Sequence, residues 1–156
     1  VTASSVSPLV VTIASEVPRL PVSAPRLAAL ARGVLRAEGV RRALVSVAMV
    51  GPRAMAALNR RHLGHRGPTD VITFALGDDP ARGLLADVYI CPEVARRQAR
   101  AHGVGVREET ARLVVHAMLH ACGWTHPEGE ERETSPMWRR QERLVRRLWL
   151  TPVPAP

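Results

Sequence analysis

Short runs rich in β-branched residues alternate along the chain with longer stretches of helical period. LVVTIA at 9 to 14 and ALVSVAMV at 43 to 50 have the length and composition of strands. Between them Leu27, Leu30, Val34 and Ala37 share one helical face, after Ser23 and Pro25 and before Gly39, so the spacing predicts a helix with its start and its stop. Two strands joined through a helix make a βαβ unit, which predicts parallel pairing with a right-handed crossover. Gly51 and Pro52 open a short helix ending near Arg61, and a loop over 62 to 69 leads into the strand DVITFA. GDDPARG at 77 to 83 is a turn-rich loop before a strand over 85 to 91, a pattern that suits an antiparallel hairpin. Pro92 opens a helix ending near Gly103, and another begins near Arg107 with Glu108 and Glu109 in its first turn. The last helix starts at Ser135 and Pro136, with Met137, Gln141, Leu144, Val145 and Leu148 as its inner stripe. The expected fold class is α+β: a small mixed sheet of about four strands covered by helices, one central helix carrying the histidines described next. With 156 residues, one domain over 1–156 is expected, its ends at 1–8 and 151–156 frayed.

HAMLHACGWTH places His116 and His120 four positions apart, about 40° around a helix axis and one turn along it, so both imidazoles can reach one metal ion. Gly123 can close the helix in the left-handed conformation and let the chain fold back with His126. Three nitrogen ligands are the usual complement of a catalytic zinc, whose fourth position stays open. The position directly after the first histidine, where the HExxH peptidase motif has its glutamate base, is Ala117, which disfavours ordinary zinc-peptidase chemistry. Cys122 follows His120 by two residues on the helix and should point away from the histidine face.

HAMLHACGWTH resembles the HGxLHxxGYxH signature of the YbeY family of metal-dependent endoribonucleases, which act in ribosomal RNA maturation. LNRRHLGHRGPTDVITF at 58 to 74 is similar to that family's LNxxyR and TDVLSF segments, and LADVYIC at 85 to 91 to its LGDIxI segment. The resemblance implies a metal-dependent, single-strand-specific endoribonuclease, with His116, His120 and His126 as ligands of one metal ion, zinc by its donor set or another divalent transition metal, and ribosomal RNA and the small ribosomal subunit as partners. It further implies a role in 16S processing and ribosome quality control. The family's arginine in LNxxyR falls at Leu63 here, while Ala86 replaces a glycine and Thr125 an aspartate. Arg60, Arg61 and Arg66 lie near the gap left at Leu63. Of these Arg66 is the candidate phosphate clamp, and His65 in the same loop is the candidate proton donor. Asp70, at the strand entrance, can orient a ligand or serve the turn.

Composition adds charge. The formal net charge is +8 and all 22 basic residues are arginine, whose planar fork matches phosphate oxygens. This favours nucleic acid or the ribosome surface over acidic small molecules. Arg139, Arg140, Arg143, Arg146 and Arg147 form the outer face of the last helix, either a solvated surface or part of an RNA footprint. Aromatic residues make up 3%, which argues against a stacking sheet of the RRM kind. No apolar run approaches the roughly 20 residues that span a bilayer. The first eight residues lack the features of a signal peptide, and Cys91 and Cys122 suit reduced core residues, so a cytoplasmic protein is expected. A second reading is a ribosome-assembly binding protein whose metal is mainly structural.

Overall fold

Strands β1 (Leu9–Ser15), β2 (Ala43–Met49), β3 (Val71–Asp79) and β4 (Gly83–Ile90) form one sheet in the order β1-β2-β4-β3, in a computed structural model that describes residues 8–151. β2 runs parallel to both β1 and β4, and β3 pairs antiparallel with β4. The mixed four-stranded sheet and the first parallel crossover are those expected from the sequence. The expected frayed ends fall outside the described residues, apart from Pro8 and Thr151.

One face of the sheet is apolar because strand residues alternate. Val45, Val47, Met49, Val88 and Ile90 are buried on it, while Thr12, Leu44 and Ser46 on the other face are exposed. The apolar face is covered by α1 (Ala24–Ala37), α4 (Val106–Ala121) and α5 (Pro136–Val145), which join the strands in one continuous core. Its fully buried leucines and methionines, among them Leu27, Leu35, Met118 and Leu119, each contribute roughly 1.5–3 kcal/mol through burial. α4 is the central helix. It packs on α1, α5, β3 and α3 (Pro92–His102), so it is apolar around most of its circumference. On the opposite face α2 (Pro52–Leu63) covers one end of the sheet, where Met55 meets Ile72, Cys91, Phe74 and Tyr89.

Two boundaries differ from the sequence reading. α2 runs to Leu63, because Gly64 at φ 69° supplies a left-handed cap, so the expected loop over 62–69 is shorter. The strands of the hairpin reach Asp79 and resume at Gly83, with a bulge between Ala75 and Gly77 that absorbs the turn-forming residues. Asp79 Oδ1 accepts the backbone N–H of Ala81 and Arg82, each at 2.8 Å, and these bonds hold its carboxyl below the ordinary range. Gly83 lies at φ 79°, and a Cβ there would collide with the backbone carbonyl of Arg42. That carbonyl accepts Leu84 N–H at 3.0 Å, so the hairpin tip is seated against the start of β2.

Candidate metal centre

α4 carries His116 on its buried side and ends one turn after it. Gly123 N–H donates to His120 O and Trp124 N–H to Leu119 O, each at 3.0 Å, with Gly123 at φ 99°. This is the Schellman pattern, and it reverses the chain directly after His120. The Trp124 ring packs on the core, and its indole Nε1–H donates to Glu38 Oε2 at 3.0 Å. Glu38 also accepts Arg140 Nε at 2.7 Å, so the end of α1 and α5 hold the reversed segment from two sides. Arg140 is therefore a tethered residue, whereas Arg139, Arg143, Arg146 and Arg147 are exposed.

The reversal brings the three imidazoles together. Ring centroids are 4.5 Å apart for His116 and His120, 5.1 Å for His116 and His126, and 5.0 Å for His120 and His126. One ligand nitrogen from each lies within 4.8 Å of the others. Cys122 does not join the group. It packs against the core, and burial pushes its thiol up to about 11.

Each Nδ1 has an oxygen acceptor. His116 Nδ1 meets Gln141 Oε1 at 2.7 Å, His120 Nδ1 meets Trp124 O at 2.9 Å, and His126 Nδ1 meets Pro127 O at 2.9 Å. A backbone carbonyl can only accept, so His120 and His126 donate from Nδ1. The Gln141 amide is oriented the same way, because its Nε2–H donates at 3.2 Å to the Glu142 carboxylate, which can only accept. Glu142 in turn accepts Arg112 Nε at 2.9 Å and Nη2 at 3.0 Å, and Arg112 also pairs with Glu108 and Glu109. With every Nδ1 protonated, all three Nε2 lone pairs are left free for a common ion. This tautomer presents one free ring nitrogen from each histidine, as a three-histidine metal site can use.

The charge state agrees. Burial is the largest cause lowering His116, to about 3, opposed by the Gln141 bond and helped by the neighbouring imidazoles and Arg132. His120 is lowered by burial too, against its bond to Trp124 O. Both rings are neutral near pH 7 and available as ligands.

The histidines line a cavity of about 410 Å³ with Asn59, Leu63, His65, Thr73 and Arg132. Asn59 is buried, and its Nδ2–H donates to Gly67 O at 2.9 Å, which ties down the loop carrying His65. The oxygens Asn59 Oδ1 and Thr73 Oγ1 are buried without a partner among the described residues. Asp70 serves the loop: its Oδ1 accepts Val71 N–H at 2.8 Å and Thr69 Oγ1–H at 3.2 Å, and it stands outside the ligand group. Of the two candidates from this loop, His65 lines the cavity, whereas Arg66 is exposed and outside its lining. Leu63, at the position of the family's arginine, is 48% exposed and forms part of the wall. Thr125 is exposed, and the Pro127 carbonyl is the acceptor of the His126 Nδ1–H.

Gln141, Trp124 and Arg132 are site residues that the sequence reading missed. Gln141 left one signal, an amide in an otherwise apolar stripe. Arg132 left none, because it sits in the acidic run EGEERET.

A family model described as Endoribonuclease YbeY matches residues 13–149. The Endoribonuclease YbeY of Frankia casuarinae is 42% identical over 151 residues, covering 88% of this chain and 73% of that protein. That of Frankia alni is 42% identical over 161 residues, covering 94% and 86%. The solution structure of a Thermotoga maritima protein matches with a TM-score of 0.61 at 25% identity, over 89% of each chain.

Proposed function

Because the chain belongs to the YbeY family, we propose that it is a metal-dependent endoribonuclease cleaving single-stranded ribosomal RNA, acting in 16S maturation and ribosome quality control. The observation that carries this reading is the set of three protonated Nδ1 atoms, each held by an oxygen, which leaves three Nε2 lone pairs beside one cavity. His116, His120 and His126 are the proposed ligands and zinc the proposed metal, since three neutral nitrogens with room for substrate are a catalytic zinc's donor set. When bound, the ion supplies Lewis-acid chemistry, acidifying water and polarising a phosphoryl oxygen. His65, in the cavity lining, is the proposed donor of a proton to the leaving oxygen. Arg66, free of ion pairs among the described residues, is the proposed phosphate clamp of the same loop.

The whole chain is read as one such nuclease domain working in the cytoplasm on the small ribosomal subunit. Two free cysteines, a net charge of +8 and the absence, among the described residues, of a helix able to cross a membrane agree with this. A second reading, a ribosome-assembly binding protein with a mainly structural metal, draws on Leu63, which puts an aliphatic side chain where the family has its cation. Cleavage of single-stranded RNA by the purified protein, with and without chelator and beside His120→Ala, separates the two. Chelator-sensitive cleavage lost in His120→Ala is the expected result. RNA binding with no cleavage by metal-loaded protein would favour the second reading.

A further inference from the structure

Charge that develops on a phosphate at the histidines needs a cation in the cavity wall; α2 supplies none, and Arg66, in the loop after it, stands exposed outside the lining. Arg60 and Arg61 are exposed outside the cavity lining, and Leu63 occupies the wall. Arg132, from the 3-10 turn Gly129–Thr134, is the one arginine among the described residues that lines the histidine cavity. It also lines a second cavity of about 540 Å³, which shares Asp70, His116 and Arg132 with the first. Arg132 thus stands with Asp70 and His116 at the boundary between the two spaces.

Its guanidinium is unspent. Arg112, the other arginine of the second cavity, is neutralised by Glu108, Glu109 and Glu142. Arg132 forms no ion pair among the described residues. Its Nε is buried without an acceptor among the described residues, and the Trp138 ring centroid lies 6.0 Å from its Cζ. Nε is closed off from solvent as well, so the two Nη groups are the donors left for an incoming ligand. An anion of tetrahedral oxygens is the matching ligand.

The second cavity differs in chemistry. Trp138 and Leu113 give it an apolar wall, and Gln98, Glu109 and Glu133 give it acceptors. Carboxylates repel a phosphate but accept from the amino groups of a nucleobase, and a half-buried indole offers a face for stacking. The volume accommodates one nucleoside.

Resting on the endoribonuclease reading, we infer that this second cavity is a nucleotide subsite: Arg132 binds the phosphate beside the histidine centre, and Trp138 stacks the base of the adjoining nucleoside.

The test is fluorescence anisotropy of full-length, metal-loaded protein with two short single-stranded probes, a 2′-O-methyl RNA and an abasic sugar-phosphate oligomer of equal length. Arg132→Ala should weaken both by about 10-fold or more and lower the slope of log K against log salt by about 0.7. Trp138→Leu should weaken the base-bearing probe by about 5-fold or more and leave the abasic one within about twofold, while Trp138→Phe restores binding. Metal content should stay at the wild-type value throughout, and Arg36→Ala, exposed on α1 and outside both cavities, serves as the control. Arg132→Ala that binds both probes like wild type overturns the phosphate assignment. Trp138→Leu that alters both probes equally, or neither, overturns the base assignment. Cleavage by wild type alongside either negative result leaves the nuclease reading standing. Failure of wild type to cleave RNA, with Arg132-dependent binding intact, would sink that reading and keep the subsite.

Discussion

Gln141 Oε1 accepts a hydrogen bond from His116 Nδ1–H at 2.7 Å, and both side chains are buried. The bond joins α4 to α5 at the point where α4 carries the first of the proposed metal ligands. Gln141→Leu keeps the apolar volume and removes the acceptor, so the His116 tautomer and ring orientation are no longer fixed. Metal affinity should fall by about 10- to 100-fold, measured by competition with a chromophoric chelator. Gln141→Glu, which retains an acceptor, should lose less. Unchanged affinity in Gln141→Leu would show that packing alone orients the ring.

Acid should destabilise the metal-free protein. Burial holds His116 in the fold at about 3, below the 6.5 of an unperturbed histidine, and lowers His120 as well. Between those two values the unfolded chain binds protons that the fold does not, so stability is full above about pH 6.5 and is lost as pH falls towards 3. His116 alone accounts for roughly 2 kcal/mol between about pH 6.5 and pH 5. Urea midpoints of chelated protein across that range would measure it. A His116→Gln variant with the same slope as wild type would refute the assignment.

The loop after α2 makes its own prediction. Removing a donor that acts in the transition state lowers turnover by about 100-fold, whereas trimming a solvated side chain changes little. His65→Ala should show the large loss in single-turnover RNA cleavage, with metal content unchanged. Arg66→Ala tests the clamp from the same loop, and wild-type rates would remove it from the chemistry. Leu63→Arg restores the family's cation to the cavity wall, and faster cleavage would mean that this chain works with a missing group.

At the hairpin tip, Gly83→Ala adds a Cβ where the Arg42 carbonyl already stands, in a left-handed conformation. Strain and collision together should cost about 2 kcal/mol or more, lowering Tm by at least ~4 °C for a chain of this size. Thermal unfolding followed by circular dichroism checks it, and an unshifted Tm would mean that the tip moves freely off β2.

The elements legible in the sequence were those whose signals are local. The valine runs of β1 and β2, the Ser23 and Pro25 start of α1 and the glycine after His120 each act within a few residues. The histidine triad was legible for the same reason, since helical period and one left-handed glycine bring it together. The three acceptors that set its tautomers were not. Gln141 lies 25 residues from His116, and the Trp124 and Pro127 carbonyls act through backbone atoms that carry no residue identity. Arg132 reads as one basic residue in an acidic run until folding places it between two cavities. The length of β3 was missed because backbone pairing with β4 carries the strand through Gly77 and Asp78, residues that otherwise favour turns.

The origin of those three acceptors limits how far the histidine string can be moved. Only Trp124 O lies within residues 116–126. Pro127 O follows it directly, and Gln141 Oε1 comes from another helix altogether. Grafted onto a foreign host helix, HAMLHACGWTH would bring its imidazoles without the contact that presets His116. The graft would meet an incoming ion with a mixture of tautomers and pay part of its affinity to sort them. A working transplant has to carry α5 with it, so the smallest portable unit of this centre is a pair of packed helices.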